Sequence, residues 1–280
     1  MSETPDSLTL PLNSEDLRRL QQAGRVEELF LAGAWNRDQA RRLVAAGIQV
    51  KSLEIRQASP AALNELLALR GLQFLRVHYL KGRGRISGRA GLESLVIGIY
   101  NGKNADADLA AISRWTNLKR LRYRCAPIGP QGLASLAKLM KLEWLDLEDC
   151  EFDDAMIPVL VKACPSLRRL ILANTRLSRV GLRALVKGLP ALQALDIWGT
   201  KVRCRDLSLL ASLQDLRELS IGPGRQRFPG FALLPRLRAL RSLQEIELDR
   251  IPLSPEHLRE IQSFIPKGQW SDEERRIDWP

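Results

Sequence analysis

Histidine and cysteine are scarce in this 280-residue sequence, and their scarcity excludes several kinds of site. There are two histidines and four cysteines, no CxxC pair occurs, and His78 and His257 lie far apart in the chain. A zinc site is therefore not expected, and the cysteines are too few for a disulfide-rich scaffold. Cys125, Cys150 and Cys164 fall at positions that the repeat described below explains, so we expect structural thiols and no cofactor.

Enzyme motifs and long apolar runs are missing as well. HExxH, GxSxG and paired histidines do not occur, so we do not expect an enzyme. Residues 1–16 hold acids before any base and no apolar run typical of a signal sequence, and no later segment approaches about 18 uncharged apolar residues. The expectation is a cytoplasmic protein that does not enter a membrane.

Acidic residues are outnumbered by basic ones. The net charge is +11 and the isoelectric point is near 9.9, which favours an acidic partner such as nucleic acid, an anionic membrane or an acidic protein surface. An arginine-rich surface that is merely solvated explains the same numbers.

Leucine, by contrast, recurs at fixed spacing. The segments LEWLDLEDC, LRRLILANT, LQALDIWGT and LRELSI begin at residues 142, 167, 192 and 216, in steps of 25, 25 and 24 residues. A constant period of this length is typical of a solenoid, in which each repeat forms one strand and one return segment and buries its apolar face only against its neighbours.

Two apolar registers define each repeat. Apolar residues at offsets 0, +3 and +5 indicate one face of a strand, and those at about +15, +18 and +19 indicate one face of a helix in the central repeats. The first register recurs in ten repeats, which begin at Val26, Val50, Leu72, Leu92, Leu118, Leu142, Leu167, Leu192, Leu216 and Leu243.

Two repeats depart from this pattern. The third returns through the basic, glycine-rich segment Lys81–Arg89, and the ninth begins its return with Gly222–Gly230. Both predict irregular loops, and the first is expected to be flexible and solvated. We divide the chain into a leader and capping helix in residues 1–25, the repeats in 26–265 and a tail in 266–280, where Trp270 and Trp279 are expected to seal the end.

The LxxLxL strands and GLxxL helices resemble the leucine-rich repeat family, in particular its helix-bearing, ribonuclease-inhibitor-like and bacterial members. The match covers residues 26–265, although Ala, Cys or Thr replaces the family's asparagine after most strands. The resemblance implies an α/β leucine-rich repeat solenoid of about ten repeats. It would be a right-handed arc with a parallel β-sheet on the concave face and helices on the convex face, used to hold another macromolecule.

Strand residues at offsets +2, +4 and +6 should point away from the core, and they supply the candidate binding residues. Interfaces favour tryptophan, tyrosine and arginine. A central group and a second patch are predicted: Trp144, Trp198, Arg120 and Arg169, then Phe74, Arg76, His78 and Tyr79. Alternatively, the tryptophans stack within the sheet, where Arg120 and Arg169 could make cation–π contacts with Trp144.

The function predicted from these features is a monomeric, non-catalytic scaffold that binds a partner protein through the concave face. The positive net charge is compatible with a partner that has an acidic surface. A nucleic-acid-binding repeat protein is the alternative from a different class. A bacterial effector or inhibitor that blocks a partner enzyme is a variant of the first interpretation, and the sequence does not separate the two.

Overall fold

The computed structural model describes residues 7–8, 14–88, 91–100, 105–224, 228–272 and 275–279. The chain divides into two compact units, Met1–Leu142 and Glu143–Pro280, and each is described by itself. Most of the predicted leader in residues 1–13, Arg89 of the basic loop and residues 225–227 of the second loop lie outside the described residues.

In the first unit, parallel strands alternate with helices. Each strand pairs in parallel with the next along the chain: β1 Ser7–Leu8, β2 Arg25–Trp35, β3 Gln49–Ala58, β4 Phe74–Leu80, β5 Ser94–Tyr100 and β6 Arg120–Tyr123. The helices are α1 Ser14–Ala23, α2 Arg37–Ala45, α3 Pro60–Leu66, α4 Ala105–Ile112 and α5 Pro130–Ser135.

Local sequence explains where these helices begin. Asn36 and Ser59 cap α2 and α3 by accepting hydrogen bonds from the backbone N–H groups of Gln39 and Ala62 at 3.0 and 3.1 Å. Helix α1 ends at the predicted place, because Gly24 adopts φ +67°, a conformation that glycine enters without steric cost.

The second unit continues the same alternation. Its strands are β7 Trp144–Asp146, β8 Arg169–Ile171, β9 Ala194–Asp196, β10 Glu218–Ile221, β11 Glu245–Leu248, β12 Lys267–Ser271 and β13 Arg276–Trp279. Neighbours pair in parallel from β7 to β12, and β13 is antiparallel to β12. The helices are α6 Ile157–Ala163, α7 Arg179–Gly188, α8 Gly230–Arg238 and α9 Pro255–Gln262.

The tail contains strands that the leucine pattern does not predict. Trp270 on β12 is buried and donates its Nε1–H to the carbonyl of Ile251 at 2.8 Å. Trp279 on β13 donates to the carbonyl of Ile265 at 3.1 Å. Both indoles therefore satisfy backbone carbonyls of the last repeat, and the strand pair β12–β13 extends the sheet beyond it.

One predicted helix has a different geometry. The return segment of the eighth repeat, Cys204–Ser212, is a 3-10 helix and not the α-helix that its apolar spacing suggested. That repeat spans 24 residues, as do the first and fifth repeats, whose return segments contain the α-helices α2 and α5, so its length alone does not account for the 3-10 geometry. Leu207 and Leu210 are fully buried in this geometry.

The α/β leucine-rich repeat fold predicted from the sequence is confirmed. Every predicted repeat contributes a strand, from β2 to β11, and the leucines of the register form the core: Leu145, Leu170 and Leu195 are Cα partners on adjacent strands and are at most 2% exposed. Residues 81–88, predicted as an irregular loop, contain no helix.

A tight turn follows several strands at offset +7. The residue at this offset adopts positive φ in six repeats: Gly33, which lies within β2, and Cys125, Asp149, Asn174, Gly199 and Arg250. In two of them the next residue is a buried threonine whose hydroxyl donates back to the strand, from Thr175 to Leu172 at 2.6 Å and from Thr200 to Ile197 at 2.7 Å. These hydroxyl bonds satisfy strand carbonyls where the family's asparagine is missing.

Carboxylates join successive repeats on the helix side. In the second unit Asp154 accepts the backbone N–H of Ser178, the N-cap of α7, at 2.8 Å and also the hydroxyl of Ser178. A side chain on Gly181 would overlap the same carboxylate. The glycine of the GLxxL motif is therefore required because a carboxylate from the preceding repeat occupies the space of its missing Cβ.

Candidate interaction surface

The outward residues of the first unit form the predicted rows. Cα pairing runs from Glu28 through Ser52, Phe74 and Ser94 to Arg120, and along a second row from Phe30 through Glu54, Arg76 and Val96 to Arg122. The buried leucines occupy the alternate positions. The assignment of outward residues from LxxLxL was therefore correct for this unit.

These rows enclose a shallow depression of about 450 Å³. Its apolar lining comes from Phe30, Phe74 and Val96, and Phe74 is 37% exposed. Arg120 also lines it, is exposed, and has no ion-pair partner among the described residues. The surface thus offers apolar area beside an available guanidinium, a combination that suits a protein ligand.

Glu54 holds the polar part of the predicted second patch. Its Oε1 lies 2.7 Å from Nε2 of His78, and its Oε2 lies 3.9 Å from the guanidinium of Arg76. All three side chains are partly exposed. Sequence reasoning singled out Arg76 and His78 but missed Glu54, although its offset of +4 on the preceding strand could have identified it.

Tyr79 reaches the surface for a different reason. The alternation along β4 breaks at its end, where Leu80 is buried and Tyr79 is 38% exposed. Lys81 lies over the Tyr79 ring, 5.1 Å from its centroid. The structure therefore brings Phe74, Arg76, His78 and Tyr79 together on one strand, as predicted.

The basic loop is held in place along its second half. Asn64 donates to the carbonyl of Arg85 and accepts the N–H groups of Ser87 and Gly88, and buried Asp108 accepts the N–H of Ile86 at 2.7 Å. The side chains of the first half are exposed, among them Lys81, Arg83 and Arg85. The loop is thus more constrained than its glycines suggested.

In the second unit, the outward row begins with Trp144 and Arg169, which are Cα partners, and continues through Ala194 to Glu218. Ala194 is small, so the guanidinium of Arg169 reaches across it to form an ion pair with Glu218 two strands away. Trp144 is half-buried. Arg169 is therefore already held by an acid of its own sheet.

Trp198 lies across a gap in the sheet surface. A side chain at the next outward position, Gly222, would overlap the Cδ1 edge of the indole, so glycine is required there. The Trp198 Nε1 is shielded from solvent and has no hydrogen-bond acceptor among the described residues. The guanidinium of Arg250 lies over the ring, 5.6 Å from its centroid. The indole is half-buried, and it exposes less area than the sequence suggested.

Asp196, on the outward side of β9, has a raised pKa. Burial raises its pKa to about 6, and the negative charges of Glu247 and Glu148 add to the rise. Hydrogen bonds from the backbone N–H of Trp198, at 2.9 Å, and from the side chain of Ser220 oppose it. Folding therefore favours protonated Asp196, and its contribution to stability is lost as pH rises through about 6.

Asp196→Asn is expected to remove this pH dependence. Relative to the original protein, the variant should gain about 1–3 kcal/mol of unfolding free energy near pH 7.5 and little near pH 4. The reason is that asparagine can still accept the hydrogen bond from the backbone N–H of Trp198 but carries no charge. Urea unfolding of both proteins at each pH measures the difference. Equal differences at the two pH values would contradict the assignment.

Among the described residues, the histidines, cysteines and acids do not assemble a metal site. No cluster of three or more potential metal ligands occurs there. Cys150, Cys164 and Cys204 are buried, and burial raises the pKa of the Cys164 thiol to about 12, which suits a structural thiol. The helices in the described part of the chain are too short or too polar to cross a membrane.

Comparison with known proteins gives similar folds. No protein-family model and no curated protein matches the sequence. Similar solved structures include an internalin from Listeria monocytogenes, 15% identical with a TM-score of 0.48 over 84% of this chain and 63% of that chain. Another is internalin C2 from Listeria monocytogenes, 19% identical with a TM-score of 0.43 over 83% of each chain. The chain thus spans less than two thirds of the first of these proteins.

Proposed function

We propose that this protein is a non-catalytic scaffold that holds a partner protein on the outward face of its sheet. The observation that carries the proposal is the depression of the first unit, where Phe74 is exposed beside Arg120, whose charge no described residue neutralises. The repeat needs neither side chain for its core. A partner that places an apolar group against Phe74 and a carboxylate at Arg120 would bury the first and pair the second.

The remaining predicted residues have supporting roles in this proposal. In the first unit, Arg76, His78 and Tyr79 extend the contact surface along β4. In the second unit, Trp144 and Trp198 contribute apolar area, and Arg169 contributes a guanidinium that Glu218 holds in place.

Intramolecular contacts support the scaffold role because they order side chains before a partner arrives. Glu54 restrains Arg76 and His78, and Glu218 restrains Arg169. Immobilising a flexible side chain on binding costs about 0.5–1.5 kcal/mol. A sheet that has already fixed several of them keeps more of its contact energy as affinity.

The proposal predicts that partner capture depends on the first-unit depression. Phe74→Ala and Arg120→Glu should each reduce capture of the same protein at least about tenfold in affinity purification with quantitative mass spectrometry. Arg114→Glu, which makes the same charge change at an exposed position two residues after α4, is the control and should capture as the original does. Circular dichroism melts should be similar for all variants.

Capture that is unaffected by both depression variants would contradict the proposal. The alternative function, nucleic-acid binding, has one observation in its favour: Lys81, Arg83 and Arg85 are exposed on a loop whose following residues are fixed. Binding of labelled DNA or RNA that falls steeply with salt and is lost on reversing those three charges would favour it. An inhibitor that blocks a partner enzyme would use the proposed surface and would lose inhibition with the depression variants.

A further inference from the structure

The outward face of the second unit has a charge opposite to that of the whole chain. The chain carries a net +11. Among the described residues, however, the outward positions on and directly after β7 to β12 hold two bases, Arg169 and Lys267, against a larger set of exposed or partly exposed acids: Glu148, Asp196, Glu218, Glu245, Glu247 and Asp249.

Both bases are already paired. Arg169 pairs with Glu218, and Lys267 pairs with Glu245 at 3.0 Å, so these two bases neutralise the row at offset +2. Glu247 lies in the next row, is exposed, and has no ion-pair partner among the described residues. Its charge is one cause of the raised pKa of Asp196, so a cation placed between these two acids would be stabilised by both.

Trp198 adds an aromatic surface to these acids, and the chain itself places a guanidinium there. Arg250 lies over the indole and its Nε is 3.7 Å from a carboxylate oxygen of Asp249. Arg250 is exposed and follows β11 at a backbone φ of +51°. A planar cation stacked on an indole and beside a carboxylate is a favourable arrangement, and arginine suits it better than lysine. Arg250 thus shows which ligand chemistry this surface accepts.

We propose that the outward face of the second unit docks an arginine-rich segment of a partner protein. One guanidinium of the partner takes the place of Arg250 over Trp198, and its neighbours lie beside Asp196, Glu247 and Asp249. The inference rests on the proposed scaffold function and adds the chemistry of the partner. Charge complementarity selects this occupant, because Asp196, Glu247 and Asp249 receive one ion pair from the described chain, the contact of Arg250 with Asp249.

The test uses the full-length protein and a fluorescein-labelled peptide that alternates arginine and serine, with lysine and glutamate versions for comparison. Fluorescence anisotropy should show binding of the arginine peptide, about threefold to tenfold weaker binding of the lysine peptide, and none of the glutamate peptide. Glu247→Lys should weaken binding at least about tenfold. Glu256→Lys, the same change at an exposed position in α9, should alter it less than about twofold.

Arg250 provides a second variant with the opposite expected effect. Arg250→Gln removes the internal competitor and should strengthen binding of the arginine peptide about threefold to tenfold. Arg259→Gln, an exposed position in α9 with the same charge change, should alter it less than about twofold. If Glu247→Lys changed peptide binding as much as Glu256→Lys, and Arg250→Gln as much as Arg259→Gln, the peptide would be responding to net charge alone. That result would overturn the proposal.

Two further outcomes separate this inference from the proposed function. Self-association that Glu247→Lys abolishes in sedimentation experiments would identify a second copy of this chain as the occupant and overturn the inference. If the arginine peptide fails to bind while Phe74→Ala still removes a captured partner, the inference falls and the scaffold function stands. If the peptide binds as expected and no captured protein depends on Phe74 or Arg120, the first-unit proposal falls instead.

Discussion

Replacing Leu170 by asparagine is expected to unfold the second unit, whereas the same replacement at the next residue, Ile171, is expected to be tolerated. Leu170 is fully buried between Leu145 and Leu195 on the adjacent strands. Removing a core leucine costs about 2–5 kcal/mol, and burying an amide without hydrogen bonds adds about 1–3 kcal/mol. The sum is comparable with the whole stability of many domains, about 5–15 kcal/mol.

Ile171 is a matched control because it differs from Leu170 only in the side of the sheet that it faces. It is partly exposed at an outward position, so asparagine there keeps access to water. Far-UV circular dichroism and limited proteolysis of purified proteins would measure the outcome. Similar melting temperatures for the two variants would mean that the leucines do not form the core in the register described.

The second large effect on stability is expected for Gly181→Ala. Whether this substitution destabilises or stabilises the protein should depend on Asp154. Alanine usually stabilises a helix relative to glycine by about 1 kcal/mol. In α7, however, the new Cβ would displace the Asp154 carboxylate from the N–H and hydroxyl of Ser178. We expect Gly181→Ala to lower the free energy of unfolding by about 2–4 kcal/mol, the sum of steric strain and lost charge-assisted bonds.

A double-mutant cycle tests this dependence. Asp154→Ala alone should cost about 1–3 kcal/mol because the cap of α7 loses its acceptor. In that background Gly181→Ala should be neutral or stabilising, since the carboxylate is gone and the remaining close contact, with Leu177 Cδ1, involves the end of a side chain that can rotate away. Urea unfolding of the four proteins gives the coupling energy. An equal cost of Gly181→Ala in both backgrounds would disprove the role assigned to Asp154.

The strands and the identity of the outward residues could be predicted because both depend on short-range periodicity. Offsets 0, +3 and +5 place Leu170 inside and Arg169 outside without any knowledge of neighbouring repeats. The period then places equivalent offsets of neighbouring repeats side by side, and the Cα partners within each unit confirm this. The same argument predicted Phe74, Arg76 and His78 on one strand.

Contacts between particular side chains could not be predicted in the same way. Trp198 was expected to stand out from the sheet, but Gly222 leaves a gap that lets the indole lie across its neighbour, and Arg250 comes from a turn whose conformation the repeat does not specify. The 3-10 geometry of Cys204–Ser212 could not be predicted from its apolar spacing, which matches that of the repeats with α-helices. The strands β12 and β13 have no leucine pattern, so spacing alone did not reveal them.

The pairing of equivalent positions in successive repeats also determines how such a protein can change during evolution. In the second unit, Trp144, Arg169 and Ala194 are successive partners at steps of 25 residues. Gain or loss of one whole repeat would lengthen or shorten the binding face while every other side chain kept its orientation. Gain or loss of one residue within a strand would exchange core and surface positions beyond it. Duplication of whole repeats is therefore the genetic change that this architecture tolerates best. A longer or shorter partner could then be accommodated by a different number of repeats with the same fold.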